Sequence, residues 1–303
     1  LESSDFTFGN LETVTAGKES GGYTGYPFFN TPASYITALK DVGFDLLVTA
    51  NNHSLDRNEK GIIKTIDEIS SRNLKYVGTY TSQRDRDSIR IFDVKGIKIA
   101  LLAYSYGTNG NPIPKGKNYL INLIDYDLTA KVNGAELVLV HFHFGDEYKR
   151  EPVQFQRDVV NKTIELGADI IIGGHPHVLQ PVNFYKTNNA KLDSGFVAYS
   201  MGNFFSNQRD RFKDTGMILT LNIKKDFVNN KIEISEIKYL PTWVFKGNTT
   251  KGKEFLIMPS TNITDTTISL SKTENEKMNQ AFNDTRYIIT KYTNNVKLRE
   301  HRD

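Results

Sequence analysis

Cysteine is absent from the 303 residues of the chain. Without thiols, a protein has no disulfides, no thiolate-ligated metal site and no cysteine nucleophile. An excess of one charge is also missing, because 38 basic residues are matched by 35 acidic ones. This balance, with the basic residues scattered, argues against a nucleic-acid-binding protein. No apolar run approaches the ~20 residues of a membrane-spanning helix, and no signal-peptide pattern opens the chain.

The composition is that of an ordinary soluble globular protein, with 38% hydrophobic and 24% charged residues. The length allows one large core or two modest ones. The lack of cysteine fits either a cytosolic protein or an exported one that folds without disulfides. Because the chain begins at Leu1 and not at a methionine, we expect the native precursor to begin further upstream.

Nearly continuous apolar runs and helical periodicity indicate the main elements of the first two-thirds of the chain. Buried strands are predicted at Phe44–Thr49, Leu137–Phe142 and Asp169–Ile172. Helices are predicted at Pro32–Val42, Glu59–Arg72 and from Pro152 to Leu166, and a β-hairpin is predicted from Arg90–Val94 and Ile97–Tyr104.

The later part of the chain is predicted to be rich in strands and then to end in a charged helix. That helix is Lys272–Thr293, and Asn294–Asp303 is predicted to be a frayed tail. The order of elements favours an α/β (α+β) fold with a pair of mixed sheets over a simple doubly wound sheet. Four late strands are predicted at Phe196–Ser200, Met217–Ile223, Lys231–Lys238 and Tyr239–Phe245.

Five of the six histidines fall in three clusters, each at the end of a predicted strand. Side chains converge at strand ends in α/β domains, since the backbone there leaves the sheet. Imidazole, carboxylate and amide groups together are typical ligands of a divalent metal with mixed nitrogen and oxygen coordination. The clusters contain His53, then His141 and His143, then His175 and His177.

Each cluster alone also has a structural interpretation. His175 and His177, after Gly173-Gly174, fit a polar solvent-facing loop as well as a metal site. His141 and His143 fit hydrogen-bonded core positions on one strand face. The third cluster, Asn52-His53, fits a helix-capping loop, because asparagine favours such positions.

Six sequence blocks, taken in order, resemble the CapA family (PGA_cap) of bacterial capsule, or poly-γ-glutamate, biosynthesis proteins. The resemblance covers about two-thirds of the chain, from Asp5 to Phe205. The blocks are Asn10-Leu11-Glu12; Ala50-Asn51-Asn52-His53 with Asp56; His143-Phe144-Gly145 with Glu147 and Tyr148; Gly167-Ala168-Asp169; Gly174-His175-Pro176-His177-Val178-Leu179-Gln180; and Tyr199-Ser200-Met201-Gly202-Asn203-Phe204.

This resemblance implies a calcineurin-like metallophosphoesterase fold (αββα), with two facing mixed sheets flanked by helices and metals at the strand ends. It implies one or two divalent ions, with Mn, Fe or Zn the most plausible. It also implies catalytic roles for His53, as general acid, and for Asp56, which orients it. The implied metal ligands are Glu12, Asn52, His143, His175 and His177, and the residues implied to support these ligands or to contact substrate are Asn10, Glu147 and Asn203.

The family pattern opens with a strand ending in Gly-Asp, whose aspartate is expected to bind metal. The given chain lacks that first strand, so we expect a site formed by this chain alone to be empty or weakly occupied. Residues 1–245 are predicted to form the metallophosphoesterase-like domain, N-terminally incomplete, and residues 246–303 a partly helical extension.

The leading functional hypothesis is a metal-dependent phosphoesterase-like protein of capsule or poly-γ-glutamate production, in which a metal-activated water attacks a phosphate ester. One alternative is a non-catalytic subunit that binds polymer or assists assembly; another is a cytosolic housekeeping phosphatase. Expected partners are an anionic polymer or phosphate ester and membrane-associated capsule synthesis proteins, with no nucleic acid. We expect the chain to lie on the outer face of the bacterial membrane, held by an upstream anchor.

Overall fold

A computed structural model describes residues 1–124, 132, 134–249, 251–261 and 268–299. They fall into two compact units: residues 1–144 with 165–170, and residues 145–164 with 171–303. None of the helices in these ranges has the length and apolar composition that a membrane crossing needs.

The first unit alternates strands and helices. Its elements are β1 (Phe8–Asn10), α1 (Ser34–Asp41), β2 (Leu46–Val48), α2 (Asn58–Ser70), β3 (Lys75–Val77), α3 (Gln83–Asp87), β4 (Arg90–Val94), β5 (Ile97–Ser105), a 3-10 turn (Asn118–Leu120) and β6 (Leu137–His143).

Two groups of strands build the first unit. β1, β2 and β3 pair in parallel in that order, while β4 pairs antiparallel with β5 and β5 pairs in parallel with β6. β2 and β6 are buried along their whole length, which explains why every residue of β2 and every residue of β6 except its two histidines is apolar. α2 packs Ile62 and Ile66 with Leu55 against Leu120 in one buried cluster.

The second unit is dominated by antiparallel strands. Its elements are α4 (Gln154–Glu165), β7 (Ile170–Gly174), β8 (Val182–Lys186), β9 (Ser194–Ala198), β10 (Thr215–Asp226), β11 (Lys231–Thr249), β12 (Gly252–Pro259), α5 (Lys272–Ile289) and β13 (Val296–Leu298).

The strands of the second unit follow two orders, β7-β9-β8 and β10-β11-β12, and β13 pairs with β11. α5 begins with a capping box, in which Ser271 and Glu274 satisfy each other's backbone N–H groups. The helix then places Met278 and Ala281 on Trp243, Phe245 and Met258 in a buried cluster. The predicted α/β class, with mixed sheets flanked by helices, is confirmed.

Two predictions for the late strands and the tail are wrong. Lys231–Lys238 and Tyr239–Phe245 are one strand, β11, which is partly exposed before Tyr239 and fully buried from Tyr239 to Phe245. The alternation of apolar and polar residues ends where the strand becomes fully buried, although the strand itself continues. The predicted frayed tail contains β13, which pairs in parallel with Ile237–Tyr239 and buries Val296. Residues 300–303 lie outside the described ranges.

The predicted domain boundary at residue 245 falls within β11, which continues to Thr249. Residues on both sides of it share the cluster around Trp243 and Met278. The division into residues 1–245 and 246–303 stays a prediction.

Candidate metal centre

The strands of the first unit bring several predicted site residues to one edge. Asn10, at the end of β1, is the register partner of Val48, at the end of β2. The segments that follow both strands therefore leave the sheet together, with Leu11 N donating to Val48 O at 2.8 Å. Ser105 and His143 are likewise partners at the ends of β5 and β6.

Asn51 fixes the loop after β2, although the sequence predicted no role for it. Its Nδ2 donates to Leu11 O at 2.8 Å and to Asn10 Oδ1 at 3.2 Å, and its Oδ1 accepts from His53 N at 3.1 Å. Asn51 is almost completely buried. Because a buried amide with its hydrogen bonds satisfied is costly to displace, it sets the positions of the neighbouring Asn52 and His53.

Three predicted metal ligands converge in the first unit. His143 Nε2 lies 2.9 Å from Asn52 Oδ1 and 3.6 Å from Glu12 Oε1. Two ligand atoms at ~2.1 Å from one ion are about 3.0–3.6 Å apart for coordination angles of about 90–120°, close to the two distances observed. These side chains therefore fit one divalent cation, with an imidazole, an amide oxygen and a carboxylate as its ligand set.

Asn10 and Tyr106 surround the His143 ring. Asn10 Nδ2 donates to Glu12 Oε2 at 3.3 Å and lies 3.5 Å from His143 Nδ1. The Tyr106 ring stacks on the imidazole with 6.4 Å between centroids and 13° between planes. His143 itself is fully buried, so its orientation is fixed by these neighbours. Asn10 therefore borders two of the predicted ligands and donates a hydrogen bond to the Glu12 carboxylate.

His53 and Asp56 form a buried pair, with 2.7 Å between His53 Nδ1 and Asp56 Oδ2. The same carboxylate oxygen accepts from Phe29 N at 2.7 Å. The Phe29 ring meets the His53 ring edge-on at 4.4 Å between centroids. The pair therefore fixes the imidazole plane and leaves Nε2 as the nitrogen not held by the carboxylate.

Asn109 is a further residue of this site that the sequence did not single out. Its Oδ1 accepts from Asn52 Nδ2 at 3.0 Å, and its Nδ2 lies 3.5 Å from each ring nitrogen of His53. It therefore contacts both a predicted ligand and the predicted general acid. The only available signal was its place in the Gly/Pro/Asn-rich stretch 107–116.

His175 and His177 lie in the second unit, just after β7. Both have left-handed backbone conformations, with φ of 94° and 57°. Such conformations in non-glycine residues cost of order 1–3 kcal/mol and cluster at functional sites. In this turn the two imidazole rings are 5.9 Å apart between centroids.

Asn203 orients His177, since its Oδ1 lies 3.0 Å from His177 Nδ1. The Asn203 amide is fixed in turn, because Nδ2 donates to Lys213 O at 2.7 Å. A metal-bound histidine normally has its second ring nitrogen held in this way. Glu147 is more distant, at 4.0 Å from that nitrogen.

The segment that carries Glu147 is held by a buried amide pair. Gln156 Nε2 donates to Gln180 Oε1 at 2.8 Å, and Gln180 Nε2 donates to Lys149 O at 2.9 Å. Gly145, with φ of 101°, lies against Gln156, and a Cβ there would come within 2.4 Å of the carboxamide. Only glycine fits this approach without displacing Gln156.

His141 is a core residue. It is buried in β6, its Nδ1 has no hydrogen-bond partner among the described residues, and burial lowers its pKa to about 4. The imidazole is therefore neutral at pH 7.

The predicted site residues thus form two sets. Asn10, Glu12, Asn52, His53, Asp56 and His143 lie together in the first unit, and His175, His177, Glu147 and Asn203 lie together in the second. The individual roles of all these residues stay predictions.

Residues 1–208 match the family model described as bacterial capsule synthesis protein PGA_cap. The chain belongs to this family. It is 30% identical over 231 residues to the capsule biosynthesis protein CapA of Bacillus anthracis, covering 72% of this chain and 54% of that protein. It is 31% identical over 230 residues to the PGA biosynthesis protein CapA of Bacillus subtilis strain 168, covering 72% of this chain and 58% of that protein.

The chain therefore spans little more than half the length of these curated relatives. A solved structure of a hypothetical protein from Thermus thermophilus superposes with a TM-score of 0.40 and 15% identity, covering 66% of each chain. A likeness at this level indicates nothing about function.

Proposed function

We propose that this member of the capsule synthesis family is a metal-dependent phosphoesterase-like protein. The observation that carries the proposal is the convergence of His143, Asn52 and Glu12 beside the buried His53–Asp56 pair. Ligand atoms 2.9 and 3.6 Å apart match the spacing of groups around one ion, and a histidine held by a carboxylate is the usual arrangement of a general acid.

The proposed ligands are Glu12, Asn52 and His143 of the first unit and His175 and His177 of the second. Their mixed nitrogen and oxygen donors, without any thiolate, suit Mn, Fe or Zn. One or two such ions would polarise a phosphoryl oxygen and make water a nucleophile at neutral pH.

In this proposal the protein's own residues orient the substrate and supply a proton. His53 protonates the leaving oxygen from Nε2, while Asp56 holds Nδ1 and keeps the ring aligned. Asn203 keeps His177 in its ligating orientation, as outer partners of metal-bound histidines do, and Asn10 donates to the carboxylate of Glu12.

The proposed setting is capsule or poly-γ-glutamate production at the outer face of the bacterial membrane. The name of the Bacillus subtilis relative supports the link to poly-γ-glutamate. The proposed partners are an anionic polymer or phosphate ester and membrane-associated synthesis proteins. Fractionation of cells expressing the full-length gene tests the location, and recovery of most of the protein from soluble cytosol would overturn it.

Metal analysis of the purified full-length protein tests the proposed chemistry. We expect bound Mn, Fe or Zn in the full-length protein and hydrolysis of a phenyl phosphodiester or monoester that stops on chelation. Polymer binding without metal-dependent turnover would support a non-catalytic assembly subunit instead. Absence of both metal and turnover from the full-length protein would reject the phosphoesterase proposal.

A further inference from the structure

Asn109 lies in the loop after β5 and has a left-handed backbone, with φ of 52°. A compact turn holds this part of the loop: Asn111 N donates to Thr108 O at 2.9 Å, and Thr108 Oγ1 donates to Asn111 O at 2.7 Å. Asparagine is among the few residue types that adopt this conformation readily. The turn therefore presents the Asn109 side chain at a defined place without help from the side chain itself.

The contacts of Asn109 decide which way the Asn52 carboxamide points. An amide has one donor end and one acceptor end, so fixing the nitrogen also fixes the oxygen. Asn52 Nδ2 donates to Asn109 Oδ1 at 3.0 Å, and Asn52 Oδ1 then lies 2.9 Å from His143 Nε2. A reversed Asn52 would present an N–H group to the ion, and an amide nitrogen is not a ligand for a divalent cation.

Asn109 also borders the His53 imidazole. Its Nδ2 is 3.5 Å from both ring nitrogens, so the amide packs against the ring and forms no close bond to either nitrogen. Together with Phe29 and Asp56, it limits the rotation of the ring. One side chain thus touches the ligand Asn52 and the proton donor His53 at once.

We propose that Asn109 is a positioning residue, which holds the Asn52 carboxamide with its oxygen toward the metal and confines the His53 ring. This inference rests on the proposed function, since it gives Asn52 its ligand role. It adds a residue from the loop after β5, outside the sequence blocks that define the family resemblance.

Two substitutions of Asn109 distinguish an effect of its side chain on Asn52 from an effect on the backbone of the loop. Asn109→Gly removes the amide and keeps a left-handed backbone without strain. Asn109→Asp keeps an oxygen that can accept from Asn52 Nδ2 and also tolerates this backbone. The matched control is Asn111→Ala in the same turn, because Asn111 Nδ2 has no hydrogen-bond partner in the described part of the chain.

The first measurement is Mn²⁺ affinity, by titration calorimetry of the full-length protein. We expect Asn109→Gly to raise the dissociation constant about 10–100-fold, as loss of a residue that orients a ligand does, with the melting temperature unchanged. Asn109→Asp and Asn111→Ala should not show this loss, since the Asp variant keeps an oxygen that accepts from Asn52 Nδ2 and the Ala variant leaves Asn109 in place. Equal affinity of wild type and Asn109→Gly would overturn the proposal, as would equal losses in the Gly and Asp variants.

The second measurement needs no metal. The Asn52 side-chain amide signals in a ¹⁵N-correlated NMR spectrum, assigned by their loss in Asn52→Asp, report whether Nδ2 donates a hydrogen bond. We expect them to shift in Asn109→Gly and to stay near their wild-type positions in Asn111→Ala. Unshifted signals in Asn109→Gly would refute the positioning role. A different outcome is that the wild type does not bind Mn²⁺ but the Asn52 amide signals still shift in Asn109→Gly. That result would reject the proposed function and leave the orientation of Asn52 by Asn109 in place.

Discussion

His53 Nδ1 and Asp56 Oδ2 are 2.7 Å apart, and both side chains are buried. Asp56 Oδ2 also accepts from Phe29 N at 2.7 Å, so the carboxylate is held by the backbone as well as by the ring. With the carboxylate oxygen as acceptor, the short contact fits a hydrogen bond donated by His53 Nδ1. The geometry therefore keeps His53 in one orientation, as the proposed general acid requires.

We expect His53→Ala, in full-length metal-loaded protein, to lower phosphoesterase turnover by roughly 10²–10⁴-fold, because a general acid contributes a factor of that size. Metal content should stay unchanged, since His53 is not among the proposed ligands. Turnover of a phenyl phosphodiester and metal analysis of the same samples measure the two quantities. Undiminished turnover would reject the assigned role, and loss of metal would make His53 a ligand instead.

His143 and His141 offer a matched pair on one strand, because both are buried in β6 and only His143 is a proposed ligand, in contact with Asn52 and Glu12. We expect His143→Leu to weaken Mn²⁺ binding by roughly 10²-fold or more, since even the loss of a residue that only orients a ligand costs about 10–100-fold. His141→Leu should bind Mn²⁺ like the wild type. Titration calorimetry measures the Mn²⁺ affinity of both variants. A similar loss of affinity in the two would show that any substitution of a buried histidine in β6 disturbs binding.

The pKa of His141, lowered by burial to about 4, makes stability depend on pH. An unfolded histidine has a pKa near 6.5, so between about pH 6.5 and 4 the unfolded state binds more protons than the folded state. Stability should therefore fall as pH decreases through this window, by an amount on the order of 3 kcal/mol from His141.

Urea unfolding of metal-free protein at several pH values tests this dependence. His141→Leu should flatten the decline in the free energy of unfolding between about pH 6.5 and 4. The neighbouring substitution Phe142→Leu changes packing without changing a titrating group, so it should lower stability equally at every pH. The same slope in His141→Leu and wild type would show that His141 is not the titrating group.

Sequence patterns located most of the candidate site but could not determine its internal contacts. The buried strands β2, β6 and β7 were predicted because continuous apolar runs are distinctive, and the histidines that follow or end these runs were found with them. The three-residue strands β1 and β3 are too short to show a period.

Asn109 was missed for a different reason. It lies 57 positions from Asn52 in an irregular loop, and no local pattern predicts which loop amide will meet which ligand. The contact depends on the tertiary arrangement of two strand ends and on a backbone turn with positive φ. The orientation of Asn52, and hence its fitness as a ligand, could only be obtained from the folded chain.

Trp243 provides a test of stability in the second unit, because it is the single tryptophan of the chain and is almost completely buried. Its indole Nε1 donates to Asp214 Oδ2 at 2.8 Å, and Asp214 is also buried. We expect Asp214→Ala to lower the free energy of unfolding by about 1–3 kcal/mol, since it leaves a buried N–H group without an acceptor. Asp214→Asn should retain most of the stability because its side-chain oxygen can still accept.

Asp210→Ala is the surface control, because Asp210 is 79% exposed and its ion pair with Lys213 lies at the surface. Exposed pairs contribute little because water and salt screen them, so this variant should unfold close to wild type. Trp243 fluorescence during urea unfolding reports the transition of all three variants directly. If Asp214→Ala and Asp210→Ala have equal unfolding midpoints, the indole hydrogen bond adds nothing to stability. If Asp214→Asn loses as much stability as Asp214→Ala, the stabilisation comes from the charge of the carboxylate, which lies 3.8 Å from Arg209.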